Sequence, residues 1–289
     1  MNRYIALQKI IETGSFTKAA DVLGYTQSSV SQMVASLENE LSIKLLTRSR
    51  HGIKLTAEGA ELYPFIERLI SQYNSTIEKS NEIKGLDSGI IRIGTVSSVT
   101  CHWMPQLIKG FKEQYPNVQF IFHQGDYTLI SEWIASGQID FGFINPLANE
   151  KLQFKTIKCG RMLAVLPKDH QLANKEYVRL SDISDEPYIM LEEGQYNEPM
   201  EAFKSEELSP NIQYKIHDDY AIMTMVEAGL GISILAELVL KRTNYNIVCL
   251  PTEPPIYRTL AAAYKDKNTL PIASRYFIDY IMKHRNELL

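Results

Sequence analysis

Four of the seven lysines and arginines among the first 60 residues, Lys44, Arg48, Arg50 and Lys54, crowd between positions 44 and 54, with His51 among them. Cations grouped in this way neutralise phosphate, and such a cluster can contact a nucleic-acid backbone even in an acidic chain. A solvated basic loop would use the same residues. Upstream, Thr26, Gln27, Ser28, Ser31 and Gln32 form a row of short hydrogen-bonding side chains. Gln bonds adenine at two points, and Ser or Thr bonds bases or phosphates. The plainer role of that row is an N-cap and a wet helix face. A third group, Ser97, Ser98 and Thr100 in Gly94–Thr100, follows an apolar strand-like run. Hydroxyls where a strand hands over to a helix favour an anion, and serve equally well as caps.

No enzyme signature competes with these groups. GxSxG, HExxH, the P-loop and GxGxxG are all absent from the sequence, and Gly229-Leu230-Gly231 lacks the third glycine. The histidines 102, 123, 170 and 217 are scattered, so no metal and no cofactor is expected. Three dispersed cysteines (Cys101, Cys159, Cys249) form neither a CxxC pair nor a disulfide framework. Cys101 adjoins the hydroxyl loop, where a helix start would favour a thiolate; a buried, inert thiol is the plainer reading.

The elements that must carry these residues are legible from periodicity. Tyr4, Leu7, Ile10 and Ile11 make a first helix that Gly14 ends. Ser15 then caps a second helix with Ala19, Ala20 and Leu23 inward, ended by Gly24. A third helix opens at Thr26 or Gln27 with the stripe Val30, Val34, Leu37 and Leu41. Helix, glycine turn, helix is the helix-turn-helix arrangement, and Ile43–Leu46 with Ile53–Leu55 flank the basic turn as a wing. From Ala57 to Lys84 the pattern is helical despite Pro64, with Leu62, Ile66, Leu69 and Tyr73 at coiled-coil spacing. Gly85–Gly89 reads as a hinge. Beyond 90, strands and helices alternate, which predicts a parallel sheet with right-handed crossovers in two α/β subdomains. Ile247–Leu250 and Thr259–Tyr264 read as two separate strands.

Composition agrees with a folded chain of two or three domains: 289 residues, 45% apolar and 22% charged. No apolar run approaches the about 20 residues of a membrane span. The opening residues carry charges inside their apolar pattern and read as a helix, not a secretion leader, so a cytoplasmic protein is expected. The net charge of −4 hides a local +2 in residues 1–60 and −5 from 85 onward.

The segment Gly14–Gly59 closely resembles the N-terminal domain of LysR-type transcriptional regulators, through SFTKAA, TQSSVSQ, SLENEL and RSRHGIKLTAEG. Chain length and domain order agree in looser form. The resemblance implies an α/β chain with a winged helix-turn-helix in residues 1–57, a dimerising linker helix and hinge in 58–86, and a two-subdomain effector domain of periplasmic-binding-protein type in 90–289. Subdomain I is expected at about 90–160 and 264–289, and subdomain II at about 161–263. The implied partners are double-stranded DNA, a small-molecule effector and a second copy of the chain, as homodimer or homotetramer. Ser15, Thr17, Thr26, Gln27, Ser28, Ser31, Gln32, Arg48, Arg50 and Lys54 form the expected DNA-binding set. Position 32 is often Arg in this family and is Gln here, so base preference does not carry over.

Family likeness also places the effector cleft at Ser97, Ser98, Thr100, Asp126, Asn145, Glu192, Tyr196 and His217. The acids Asp126, Glu192, Glu193 and Asp218 depart from a simple anion pocket and favour an effector with an amine or hydroxyls beside a carboxylate, as in an amino acid. Two rival functions remain at this level: a ligand-binding protein without DNA binding, and a thiol-based redox regulator using Cys101.

Overall fold

Short caps and glycines delimit the N-terminal helices in the computed structural model, which describes residues 1–49, 52–83, 89–241 and 243–289. Helix α1 (Asn2–Thr13) and α2 (Phe16–Leu23) end at Gly14 and Gly24, both with the positive φ that glycine adopts without strain. The Ser15 hydroxyl accepts from the Lys18 amide to start α2, and Thr26 Oγ1 accepts from the Ser29 amide at 3.2 Å to start α3 (Gln27–Leu41). Inward faces of the three helices, Leu7, Ile10, Ala19, Val30, Val34 and Leu37 among them, build one core with Leu45, Ile66 and Ile70. Each large apolar side chain so buried contributes about 1.5–3 kcal/mol.

One buried carboxylate fixes where the wing begins. Glu38 Oε1 accepts from the amides of Leu45 and Leu46 at 2.9 and 3.2 Å, and Oε2 from Lys44 Nζ at 2.7 Å. Burial alone would raise this carboxyl; the Lys44 bond and the two amides outweigh it and hold it below its ordinary value. With those amides committed, the first strand does not run over Ile43–Leu46 as the pattern predicts. It is β1 (Leu46–Ser49), antiparallel to β2 (Gly52–Leu55), with Arg48 opposite Ile53. Arg48 therefore belongs to the strand, not the turn; Arg50 and His51 lie outside the described residues, as do 84–88 of the expected hinge.

Thr56 Oγ1 donates to Lys44 O and accepts from the Gly59 amide, opening α4 (Ala57–Ile83), which continues through Pro64. The expected seam divides. Ile66 is buried with Ile70 in this unit's own core, and Leu62 packs partly against it. The exposed stripe is instead Phe65, Leu69, Tyr73 and Ile77, four residues apart. A helix that must cover its own domain has only its far side left for another partner.

The chain splits into two compact units, Met1–Lys84 with Ser136–Gln138, and Gly85–Ala135 with Ile139–Leu289. The second begins with β3 (Gly89–Thr95), α5 (Ser97–His102), α6 (Met104–Gln114), β4 (Val118–Gln124), α7 (Tyr127–Ser136) and β5 (Phe141–Ile144). It continues with β6 (Gln153–Pro167), β7 (Val178–Arg179), α8 (Leu180–Ile183), β8 (Pro187–Leu191), α9 (Glu198–Ser205) and β9 (Asn211–Ile216). Last come α10 (Asp219–Glu227), β10 (Ser233–Ala236), α11 (Glu237–Leu240), β11 (Ile247–Tyr264) and α12 (Ile272–His284).

The main sheet has seven strands, β10-β6-β11-β5-β3-β4 in order with β7 beside β11. It is mixed, which corrects the all-parallel expectation. β3 is parallel to β4 and β5, whereas β11 is antiparallel to β5 and β6, and β6 to β10. The two predicted strands Ile247–Leu250 and Thr259–Tyr264 are one strand, β11, with a register shift between Pro251 and Ile256. The prolines there read as strand ends in sequence, yet the shift absorbs them.

The long pair β6 and β11 runs through three cores. Ile157, Leu260, Ala262 and Ala263 belong to one, with Ile91, Phe111, Phe141 and Phe277. Met162, Ala164, Leu166 and Ile256 belong to another with Tyr188 and Phe203, while Val165, between them in sequence, packs with Ile222 and Met223. That alternation is the period of two of a strand covered on both faces.

Candidate nucleic-acid interface and effector cleft

Gln27, Ser28 and Gln32 are exposed and Ser31 half-buried on the first turns of α3, whose opposite side is packed in the core. The i, i+4 pairs 27/31 and 28/32 share one face. Thr26 is exposed but committed: its hydroxyl caps α3 and bonds the hydroxyls of Ser28 and Ser29. Ser15 is the corresponding cap of α2, and Thr17 is exposed in its first turn. Lys54 is exposed on β2.

In the second unit, a cavity of about 450 Å³ is lined by Val96, Ser97, Gln124, Gly125, Asp126, Leu129, Leu191, Glu192, Glu193, His217, Asp219 and Arg258. Four of the eight residues expected at a cleft are here: Ser97, Asp126, Glu192 and His217. Ser97 Oγ accepts from Gln124 Nε2 at 2.9 Å, and Asp126 Oδ1 accepts from the Leu129 amide at 2.8 Å. His217 Nε2 lies 3.4 Å from Glu192 Oε2 at the exposed edge.

The other four are elsewhere. Thr100 Oγ1 bonds Thr95 Oγ1 and Val96 O, turned back onto its own helix and away from the lining, and Cys101 beside it is exposed rather than buried as expected. Tyr196 packs against the core that holds Phe111 and Phe277. Ser98 and Asn145 are buried in a network beneath the cavity, centred on a residue that sequence reasoning passed over.

That residue is Arg258, buried on β11. Its Nε donates to Tyr127 Oη at 2.6 Å, Nη1 to Ser98 Oγ at 3.2 Å and Nη2 to Glu193 Oε1 at 2.8 Å. Tyr127 Oη in turn donates to Glu198 Oε1, which also accepts from Asn145 Nδ2 at 2.8 Å. One guanidinium thus ties α5, α7 and the loop after β8 to a strand whose buried residues serve two of these cores.

Three carboxyls, Glu193, Glu198 and Asp219, are buried near this single cation. Burial is the largest influence on Glu193; Arg258 opposes it, but Glu198 and Asp219 reinforce it, and the carboxyl is pushed up to about 8. Burial likewise raises Asp219, against Arg258. Burial would lower Arg258, yet Glu193, Tyr127 and Glu198 hold it firmly protonated. Oε2 of Glu193 and Oε2 of Glu198 are both buried without a hydrogen-bond partner.

Family models match both parts of the chain: the bacterial regulatory helix-turn-helix protein, lysR family, over residues 1–60, and the LysR substrate binding domain over residues 84–286. The uncharacterized HTH-type transcriptional regulator YvbU of Bacillus subtilis is 30% identical over 274 residues, 94% of each chain. The transcriptional dual regulator GltC of the same organism is 27% identical, covering 90% of this chain and 89% of its own. Among solved structures, HinK, a LysR family transcriptional regulator from Pseudomonas aeruginosa, has 25% identity and a TM-score of 0.61 over 98% of both chains. With a capped recognition-type helix in one unit and a polar cleft in the other, the chain belongs to the LysR family of DNA-binding transcriptional regulators.

Proposed function

We propose that this regulator reads operator bases with Gln27, Ser28, Ser31 and Gln32, and grips the backbone with Ser15, Thr17, Thr26, Arg48, Arg50 and Lys54. The carrying observation is the exposed polar face at the start of α3, on a helix held rigid by its packed side. The division into residues 1–57, 58–86 and 90–289 follows that reading, with the stripe Phe65, Leu69, Tyr73 and Ile77 joining two copies. The chain acts as a regulator and not as a catalyst, in the cytoplasm; among the described residues no helix is long and apolar enough to cross a membrane. Its effector, amino-acid-like in carrying charged ends, sits in the cavity bounded by Ser97, Asp126, Glu192 and His217.

Selection from random DNA duplexes with the full chain gives the operator and tests the base-reading role. Gln27→Ala is expected to relax one base pair by about 1–3 kcal/mol, while Lys54→Ala weakens all sequences alike and lowers the salt slope by about 1. An unchanged sequence profile in Gln27→Ala would remove Gln27 from the reading face. On the effector side, Leu129→Trp fills the cavity, so the ratio of DNA binding with and without effector is expected to fall to one.

A further inference from the structure

The cavity lining carries four carboxylates, Asp126, Glu192, Glu193 and Asp219, against one arginine. That arginine is already engaged by Glu193, Tyr127 and Ser98, so it balances the protein's own charge. Glu193 is 6% exposed and lines the cavity, with its carboxyl against that of Glu198 and its Oε2 sealed from solvent. Glu198 and Asp219 both press on Glu193, and Arg258 is the one cation described beside them, so a second cation entering the cavity relieves like-charge repulsion.

We infer that the cleft selects its effector by a positively charged nitrogen, an ammonium or guanidinium on a methylene stem, bound by Glu193 and Asp219. This rests on the cavity being the effector site. An anionic effector would add a further negative charge beside these acids. The apolar walls Val96, Leu129 and Leu191 suit a methylene stem, and the 450 Å³ volume is that of a small organic ligand. Among the described residues no group of three or more His, Cys, Asp or Glu is placed to hold a metal ion, so the fitting cation is organic. The effector class is that of basic amino acids and short diamines.

Titration calorimetry on the full chain at pH 8 tests this with L-lysine, L-arginine and 1,4-diaminobutane, against L-norleucine and glutarate. At least one cation is expected to bind, with norleucine at least about tenfold weaker than lysine and glutarate silent. Asp219→Asn should weaken the cation by about tenfold or more. Tighter binding of glutarate or norleucine that Leu129→Trp abolishes would overturn cation selection while leaving the cleft as the effector site. Cation binding indifferent to Leu129→Trp would move the site itself and overturn both. Absence of binding by all three cations at millimolar concentration would overturn the inference, as would an unaltered affinity in Asp219→Asn.

Discussion

Arg258→Met removes the one cation that the described residues place among three buried carboxyls, while keeping an unbranched stem in place. The variant leaves one negative charge of Glu193, Glu198 and Asp219 without its counter-charge, and leaves Ser98 and Tyr127 without a donor. Breaking a buried pair from one side costs about 3–5 kcal/mol. The carboxyl can escape by taking a proton, which at pH 7 costs about 1.4 kcal/mol for each unit above an ordinary value near 4.3, or about 4 kcal/mol. Both routes give the same magnitude. In the variant the folded chain must keep a proton that the unfolded chain releases above about pH 4.3, so the penalty grows with pH. It should therefore be about 2 kcal/mol smaller at pH 5.5 than at pH 7. Urea unfolding followed by Trp103 and Trp133 fluorescence measures the free energy, and thermal unfolding should show a fall in Tm of about 8–16 °C at pH 7 for a unit of this size. Adding Asp219→Asn should restore at least about 1 kcal/mol. Equal destabilisation at both pH values, or no recovery in the double variant, would refute the charge argument.

Glu38→Ala frees the amides of Leu45 and Leu46 and should cost about 1–3 kcal/mol at pH 7. Because this carboxyl lies below its ordinary value when folded, its contribution is present above about pH 4.5 and lost as pH falls through the folded value, so urea curves of variant and wild type should converge in acid. Glu193 lies near 8 with Arg258, Glu198, Asp219, Tyr127 and Tyr188 around it, and a bound ammonium needs it ionised. Affinity for the cationic ligand should rise by up to about tenfold per pH unit between 6 and 8, and calorimetry in buffers of different ionisation heat should register proton release. Leu69→Asp places a charge in the exposed stripe of α4 and should shift the sedimenting species from dimer to monomer at micromolar concentration.

The DNA-binding unit was readable because its determinants are local. Thr26 caps α3 from the adjacent position, Gly14 and Gly24 end helices at the residue where they stand, and the inward stripe recurs every three or four residues. The first wing strand was misplaced because Glu38, seven residues before Leu45, takes the amides that a strand over Ile43–Leu46 would have used. On α4 periodicity located an apolar surface without saying which part the helix spends on its own domain, and Ile66 went inward. Strand direction failed for the same reason on a larger scale: β6 and β11 pair across about a hundred residues, and alternation of strands and helices carries no information about that pairing.

The cleft shows where one-dimensional reading loses its grip on a site. Arg258 lies 160 residues from Ser98, 131 from Tyr127 and 65 from Glu193, inside IYRTLAAAY, which reads simply as a strand. The signal was present: a lone arginine in a strand that runs on into buried alanines stays inside only when acids meet it. Nearness to the strand end favours all three hydroxyls, but α5 begins at Ser97, so Thr100 sits on its fourth position and bonds back to Val96. Asp218 was singled out over Asp219 for the same lack of phase. Asp218 caps α10 through the amides of Tyr220 and Ala221, and that role turns the next side chain into the cavity. Helix phase is fixed by the cap, so the two aspartates exchange roles once the cap is identified: the capping residue is spent on backbone, and its neighbour is the one left to meet a ligand.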